Sequence, residues 1–342
     1  MKNLFGFRRA IGLVAAATLI STLPIAASAQ DKKITLLIWS STWNGLIKPL
    51  AEQFTKDTGI AVDIEVQASS MEGLVKVQAM RGKPTADIWF TAQGVAERAA
   101  SDPGLLAPMP VDKLSNWKDI IPGGTSPTFA AAYYYPFGIV YRPDLVPGGK
   151  ISSWEELWGP GFENKLALPA PSFFSGRMIL VAALLAGGSI DNVDPGIEKL
   201  KKIKKNVAFW FTSDPQARKG LAQGEVSVMV TSSSTVKTLA DQGVVVKMVS
   251  PKPTPIIFEG VTILKGGKEE LAAQFVNYII SPPWQKTITE VWNMGPVNKN
   301  VAPAGKFADV LPKPGDAVTF NETTINERLG GWTEKFNQAI GQ

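Results

Sequence analysis

A continuous strand, helix and strand pattern over residues 34–66 constrains the fold of this chain more than any other feature. Residues 34–39 (ITLLIW) are almost entirely apolar, as expected of a parallel strand that is covered on both faces. Apolar residues recur at helical spacing over 46–54, and residues 60–66 then alternate between apolar side chains and polar or small ones. The pattern predicts a βαβ unit, with residues 40–44 forming a loop at the carboxyl end of its first strand.

Similar strand and helix signals alternate along the rest of the chain and predict an α/β fold. Short apolar strands at 86–90 and 226–230 each end in polar residues that precede a helix. Ligands bind at the carboxyl ends of strands in open α/β sheets, so these polar segments are expected to face one ligand. Residues 130–141 (AAAYYYPFGIVY) predict a long aromatic strand, the prolines within 251–255 predict a stiff connector, and an amphipathic helix is predicted near 323–340.

The first 29 residues have the pattern of a secretory signal peptide. Lys2, Arg8 and Arg9 precede an apolar stretch that ends in small residues at Ala27 and Ala29. Cleavage after Ala29 removes 29 of the 342 residues and leaves a mature protein of 313 residues outside the cytoplasm. An uncleaved signal anchor is the alternative. The absence of a cysteine after the signal argues against a lipoprotein.

The chain contains no histidine and no cysteine. Ser-His-Asp and Cys-His catalysis are therefore excluded, as are imidazole and thiolate metal sites. We predict no cofactor and no metal site. Removing the three basic residues of the signal lowers the formal net charge from +5 to +2. No Lys/Arg-rich run with interleaved aromatics remains, so nucleic acid is not expected as a partner.

Four stretches of the chain resemble one known family. They are LAEQFTKDTGIAVDIE at 50–65, ADIWF at 86–90, SSWEELWGPGFENKLAL at 152–168 and GPVNKN at 295–300. They look like the bacterial extracellular solute-binding proteins of ABC importers, especially the spermidine/putrescine-binding branch, over essentially the whole mature chain. The resemblance implies an α/β, two-lobed periplasmic-binding-protein fold of type II, in which two crossing strands join mixed sheets flanked by helices.

The resemblance also implies a domain organisation and partners. The first lobe would comprise 30–136 and 258–300, and the second 137–257 and 301–342, with hinge crossings near 135–141 and 253–259. The implied partners are a small-molecule solute and an inner-membrane ABC permease. A periplasmic monomer without enzyme activity is expected.

Part of the predicted pocket favours an amine. Polyamine-binding relatives clamp an alkyl cation between aromatic rings and cap its ammonium groups with carboxylates, since a buried ammonium needs paired charge or ring faces. Trp39 and Trp43, together with Ser40 and Ser41, stand in the segment where relatives place aromatic residues. Glu259 falls at the hinge position where relatives place an amine-binding Asp.

Other positions depart from the polyamine-binding pattern. Where relatives carry an acidic pair, this chain has Ser175 and Arg177, and Gln93, Thr231 and Met294 replace aromatic residues. Arginine and helix-start N–H groups bind oxyanions, so this part of the pocket suits a carboxylate or phosphonate. The candidate ligand-binding residues are Trp39, Ser40, Ser41, Trp43, Thr91, Gln93, Ser175, Arg177, Thr231, Ser232, Ser233, Glu259 and Met294.

Each candidate also has a purely structural interpretation. Trp39 can pack as core, and Arg177 can be a solvated charge or a salt-bridge partner. Glu259 can tie the hinge to a lysine, and the Ser/Thr run at 231–234 can cap a helix.

Three functions stay open on the sequence alone. The first is the binding component of an importer that holds an amine-bearing or zwitterionic solute, which is polyamine-like, amino-acid-like or aminophosphonate-like. The second keeps the scaffold and binds a purely anionic solute. The third is an exported carboxylate-dependent hydrolase, which requires two acids roughly 5 to 10 Å apart, and the pocket segments offer no obvious close acid pair.

Overall fold

A computed structural model describes residues 32–305, 308–312 and 315–341. The signal peptide predicted for residues 1–29 lies outside these ranges. Within the described ranges, no helix combines the length and the apolar character that a membrane crossing requires.

The described chain alternates strands and helices, as the sequence predicts. The strands are β1 (Lys33–Trp39), β2 (Ala61–Gln67), β3 (Ile88–Ala92), β4 (Thr125–Ser126), β5 (Phe129–Tyr141), β6 (Leu166–Pro169), β7 (Val207–Phe211), β8 (Val228–Ser232), β9 (Lys247–Val249), β10 (Thr254–Ile263) and β11 (Ala317–Val318). The α-helices are α1 (Ser40–Thr42), α2 (Lys48–Thr58), α3 (Ser70–Ala79), α4 (Gln93–Ala100), α5 (Arg177–Leu185), α6 (Asp194–Ile203), α7 (Asp214–Gln223), α8 (Ser234–Asp241), α9 (Glu269–Ile279), α10 (Pro282–Trp292) and α11 (Glu322–Ile340).

The opening βαβ unit forms as predicted, with one correction at its first connection. β1 and β2 pair in parallel from Lys33 opposite Ala61 onward, and Gly59 ends α2 in a left-handed conformation with φ 72°. The predicted loop at 40–44 is wrong, because these residues are helical and continue into a π-helical turn at Trp43–Ile47. The helix thus begins directly at the end of β1, and π turns of this kind occur frequently at functional sites.

The mixed sheet is held together by β5 and β10. Its strand order is β2-β1-β3-β10-β5-β8-β6-β7, in which β1, β2 and β3 are parallel while β10 is antiparallel to both β3 and β5. The first half of β5 pairs with β10, and its second half pairs with β8 and β9. The long aromatic strand predicted at 130–141 therefore connects two groups of strands.

The two largest hydrophobic cores of the described residues share this connection. The first core surrounds Phe54 and Phe275, and the second surrounds Trp154 and Phe336. β5 contributes to both cores, with Tyr133 in the first and Phe137 in the second. β10 does the same with Val261 and Ile257 respectively. The lobe boundaries and hinge crossings given above stay a prediction.

The C-terminal helix α11 confirms the helix predicted near 323–340 and contacts both parts of the chain. Its apolar face, including Trp332 and Phe336, packs in the second core. In its second turn the Asn326 side chain donates to the carbonyl oxygen of Gly94 at 2.7 Å. α11 thus brings its N-terminal residues next to the start of α4.

A β-bulge between β5 and β10 requires a glycine. The register shifts between Glu259 and Gly260, so that Glu259 lies opposite Tyr133 while Gly260 lies opposite Ala131. A Cβ atom added to Gly260 would lie 2.1 Å from the Ala130 carbonyl oxygen, and this neighbour is backbone. The strands approach so closely here that no side chain fits.

We therefore expect Gly260→Ala to lower the free energy of unfolding by at least about 2 kcal/mol, because the backbone must separate to accept the methyl group. The matched control is Gly330→Ala on the exposed side of α11, where an added Cβ meets nothing within 4 Å. That change should raise the stability slightly, since alanine favours helices by about 1 kcal/mol over glycine. Urea denaturation of both variants measures the two effects, and equal midpoints would contradict the close approach at Gly260.

Candidate functional site

A cavity of about 670 Å³ opens where several strands end. Trp39 ends β1, Ala92 ends β3 and Ser232 ends β8, and all three line this main cavity together with Glu259 of β10. The polar segments that follow three separate strands in the sequence therefore meet at one place, which is the geometry expected of ligand sites in α/β proteins.

The structure brings most of the candidate residues together. The candidates that line the main cavity are Trp39, Ser41, Gln93, Ser175, Arg177, Ser232, Glu259 and Met294. Ser233 lines a smaller adjoining cavity, which Ser41 and Met294 also line.

Four other candidates line neither cavity. Thr91 and Thr231 are completely buried within β3 and β8, where alternate side chains point to opposite faces of the sheet. Ser40 is exposed and accepts a hydrogen bond from Asn44 at 3.4 Å, and Trp43 packs against the first core. A ligand role for these four stays a prediction that the cavity geometry does not support.

Glu259 is a half-buried carboxylate that lines the main cavity. Tyr133 lies directly opposite Glu259 in the β5–β10 ladder, and Tyr135 lies two residues further along the same face. Both phenol hydroxyls donate to the carboxylate, that of Tyr135 at 3.1 Å. In the described part of the chain, Glu259 forms no salt bridge with a lysine or arginine, so the predicted tie to a lysine is not observed.

Burial dominates the electrostatics of this cluster. It raises the pKa of Glu259 above its ordinary value, although the hydroxyls of Tyr133 and Tyr135 act in the opposite direction. Burial also raises the pKa of both tyrosines well above the ordinary range, and the adjacent Glu259 carboxylate adds to this effect. The tyrosines therefore remain neutral donors, and no cationic side chain of the described residues forms an ion pair with the carboxylate.

Arg177 is placed at the cavity wall by an unusual turn. Phe174, Ser175 and Gly176 have φ values of 53°, 49° and 70°, and the Gly176 N–H donates to the carbonyl oxygen of Pro171 at 2.8 Å. Left-handed conformations at non-glycine residues are unfavourable and tend to occur at functional sites. The turn starts α5 so that Arg177 is 2% exposed.

The Arg177 guanidinium has a carboxylate partner, Glu322 of α11. The side chains of this ion pair are only 3% and 9% exposed. The guanidinium also donates to the Ser175 carbonyl oxygen at 3.2 Å and lies 5.8 Å from the Phe320 ring centroid, while its Nε has no partner among the described residues. The salt-bridge interpretation of Arg177 is therefore observed, and its positive charge is largely neutralised without a ligand.

Asp214 supplies a further carboxylate to the main cavity. It accepts a hydrogen bond from Thr231 at 3.1 Å and lies 3.6 Å from Arg218, one helical turn along α7. Burial raises the pKa of Asp214, and Arg218 and Thr231 partly counteract this. Among the described lining residues the cavity thus has three carboxylates, Asp214, Glu259 and Glu322, and one cation, Arg177.

Sequence reasoning missed two of these carboxylates. It assigned no acid to this part of the pocket, yet Asp214 and Glu322 both line it. Each is the first residue of its helix, where acidic residues are ordinarily explained by the helix dipole. Only their convergence with Arg177, from distant parts of the sequence, identifies them as site residues. Among the described residues, no cluster of three or more acidic side chains is suited to a metal ion.

Sequence comparisons find similarity over most of the chain. The family model for bacterial extracellular solute-binding proteins matches residues 49–312. The spermidine/putrescine-binding periplasmic protein 1 of Haemophilus influenzae is 24% identical over 302 residues, which covers 81% of this chain and 82% of that protein. The gamma-aminobutyric acid-binding protein of Pseudomonas aeruginosa is 25% identical over 293 residues, which covers 80% of this chain and 79% of that protein.

Structural comparison agrees on the fold. The crystal structure of an ABC transporter protein from Clostridium perfringens superposes with a TM-score of 0.77 at 24% identity, covering 90% of this chain and 99% of that structure. At that identity the likeness shows the fold alone, and it confirms the predicted α/β fold class with a mixed sheet flanked by helices.

The ion pair at the cavity wall should contribute strongly to stability. Glu322→Gln leaves the Arg177 guanidinium buried without a counter-charge, so we expect the free energy of unfolding to fall by about 3 kcal/mol. Chemical denaturation measures this loss. The control is Glu334→Gln, at an exposed position of the same helix, with an expected change within about 0.5 kcal/mol. Equal, small effects of both changes would show that Glu322 does not stabilise Arg177.

The buried Glu259 should make stability depend on pH. Because the folded-state pKa lies above the ordinary value of 4.5, the folded protein binds more protons than the unfolded chain between the two values. Stability of the ligand-free protein therefore falls as the pH rises through this window. Glu259→Gln removes this contribution.

The measurement is urea denaturation of the wild-type protein and of Glu259→Gln over a series of pH values. We subtract the unfolding free energy of the wild type from that of Glu259→Gln. This difference should increase as the pH rises above 4.5 and should level off above the folded-state pKa of Glu259. Asp214 and other acids titrate in both proteins, so only the difference between the two curves reports on Glu259. A difference that does not change with pH would contradict the burial of an ionisable carboxyl group there.

Proposed function

Because this chain belongs to the bacterial extracellular solute-binding proteins, we propose that it is the periplasmic substrate-binding component of an ABC importer. It binds a small amine-bearing organic solute in the main cavity, between two lobes that close on it, and delivers the solute to an inner-membrane permease. The solute leaves chemically unchanged. Export depends on the signal peptide, with cleavage after Ala29.

The observation that carries the amine assignment is the uncompensated carboxylate of Glu259. A buried carboxylate is costly unless it is paired, and its two tyrosine donors supply hydrogen bonds but no positive charge. An ammonium group placed against Glu259 supplies both a counter-charge and further donors. Charge-assisted hydrogen bonds of this kind are stronger than those between neutral groups.

The remaining walls are consistent with an alkyl cation. Trp39, Tyr133, Phe173 and Phe174 surround the cavity with aromatic rings, which bind methylene groups and attract cations through their faces. The three carboxylates outnumber the one guanidinium among the described lining residues, so the cavity has a net negative charge. A second ammonium group of the solute could pair with the Asp214 carboxylate, whose charge is only partly offset by Arg218.

A purely anionic solute fits this cavity poorly. Such a solute would have to displace Glu322 from Arg177 and would face Glu259 and Asp214 at close range. A zwitterionic amino acid is the second candidate, because the Arg177 Nε has no partner in the described ranges and can donate to a carboxylate while Glu259 binds the amine. The Pseudomonas relative named for gamma-aminobutyric acid binding has a zwitterionic ligand of this class.

The test is titration calorimetry with three four-carbon compounds: 1,4-diaminobutane, 4-aminobutanoate and butanedioate. We expect the diamine to bind, and Glu259→Gln to weaken its binding about 100-fold, since truncating one side of a buried charge pair costs several kcal/mol. Glu52→Gln, at an exposed position on α2, is the control and should leave affinity unchanged.

The three compounds separate the candidate functions. Tight binding of 4-aminobutanoate that depends on both Glu259 and Arg177 would establish the zwitterionic ligand in place of the diamine. Binding of butanedioate alone, unaffected by Glu259→Gln, would overturn the amine assignment. Appearance of a new product during incubation with any bound solute would overturn the assignment as a non-enzymatic binding protein.

A further inference from the structure

A second cavity of about 320 Å³ adjoins the main cavity. The two share five lining residues, which form the boundary between them: Ser41, Thr42, Tyr133, Ser234 and Met294. A solute whose ammonium group reaches Glu259 beside Tyr133 therefore lies next to this side chamber. Any group attached to the solute on that side continues into it.

The side chamber differs from the main cavity in its charge balance. Its charged lining residues, within the described chain, are Lys237 and Asp241, which pair with each other at 2.7 Å across one turn of α8. Both side chains are well exposed. The negative excess of the main cavity is therefore absent here, and a second ammonium group would meet a carboxylate that already has its cation.

The inner walls of the side chamber combine an aromatic ring with hydroxyls. Trp292, Ser233 and Thr238 all line it. Thr238 already donates to the carbonyl oxygen of Ser234 at 3.0 Å. Ser233 is 3% exposed, and its hydroxyl has no hydrogen-bond partner among the described residues. A buried hydroxyl without a partner costs free energy, which a hydrogen-bonding group on a solute would recover.

We propose that the side chamber is a subsite for an uncharged, hydrogen-bonding extension of the amine, such as an amide or acyl group. This inference rests on the proposed function, because Glu259 must hold the ammonium group that directs the extension past Tyr133. Ser233 bonds the polar atom of the extension, and the Trp292 ring packs against its carbon atoms. The subsite thus selects a conjugated amine over a simple alkylamine of the same length.

The experiment compares compounds that share one ammonium group and differ in the extension. N-acetyl-1,4-diaminobutane has an amide extension, and heptylamine is an alkyl chain of equal length without polar atoms. 1,4-Diaminobutane, which is too short to reach far into the chamber, serves as the reference ligand. We expect the acetylated amine to bind at least about tenfold more tightly than heptylamine, from one buried hydrogen bond and the loss of an unsatisfied hydroxyl.

Two variants locate this preference in the side chamber. Ser233→Ala should remove most of the tenfold preference. Thr238→Phe fills the chamber and should weaken binding of the acetylated amine at least about tenfold, while 1,4-diaminobutane stays within about twofold. The matched control is Thr287→Phe on α10, which lines neither cavity and whose hydroxyl likewise donates to the carbonyl oxygen four residues earlier; it should behave as the wild type.

The outcomes distinguish the two proposals. In one outcome, 1,4-diaminobutane binds and its binding depends on Glu259, but the protein does not prefer the acetylated amine to heptylamine, or Thr238→Phe does not weaken binding of the acetylated amine. The side chamber is then only an opening to solvent, and the subsite proposal is overturned. If no amine binds, the proposed function fails and the subsite fails with it. Normal thermal unfolding of each variant establishes that lost binding is not lost folding.

Discussion

Antiparallel pairing of β5 with β10 is the constraint on which the rest of this structure depends. The two strands contribute to both hydrophobic cores, so the packing of each core fixes their register. That register places Glu259 opposite Tyr133. At the adjacent bulge the two backbones are so close that only glycine fits at position 260. The position of the central carboxylate therefore follows from core packing, and the neighbouring segments arrange the remaining side chains around it.

The cavity built on this pairing is electrostatically unfavourable in the ligand-free protein. Burial raises the pKa values of Glu259 and Asp214 because the charged forms lose hydration. Only one of the three lining carboxylates, Glu322, has a fully buried cationic partner. Burying carboxylates without cationic partners lowers the free energy of unfolding, and binding of a cationic ligand would restore it. The same imbalance is the basis of the proposed preference for amines over anions.

Sequence reasoning reached the fold and part of the site. Alternation of strands and helices, and the apolar strand ending at Trp39, predict the α/β sheet and the edge where the cavity opens. Glu259 was identified through the family resemblance, because relatives place an amine-binding Asp at this hinge position. The expectation of an oxyanion site at Arg177 was weakened by the structure, because Glu322, 145 residues away in sequence, neutralises the guanidinium. Thr91 and Thr231 were placed in the pocket because a sequence pattern cannot show which face of a fully buried strand borders a cavity.

The sequence by itself predicted the alternation of strands and helices and excluded histidine and cysteine chemistry, since periodicity and composition are local properties. Tertiary structure alone decided the charge balance of the cavity. Asp214 and Glu322 start separate helices, and only long-range packing of α7 and α11 brings them to the cavity that Glu259 and Arg177 line. Electrostatic free energy depends on distance and burial, and both arise only when segments remote in sequence pack together.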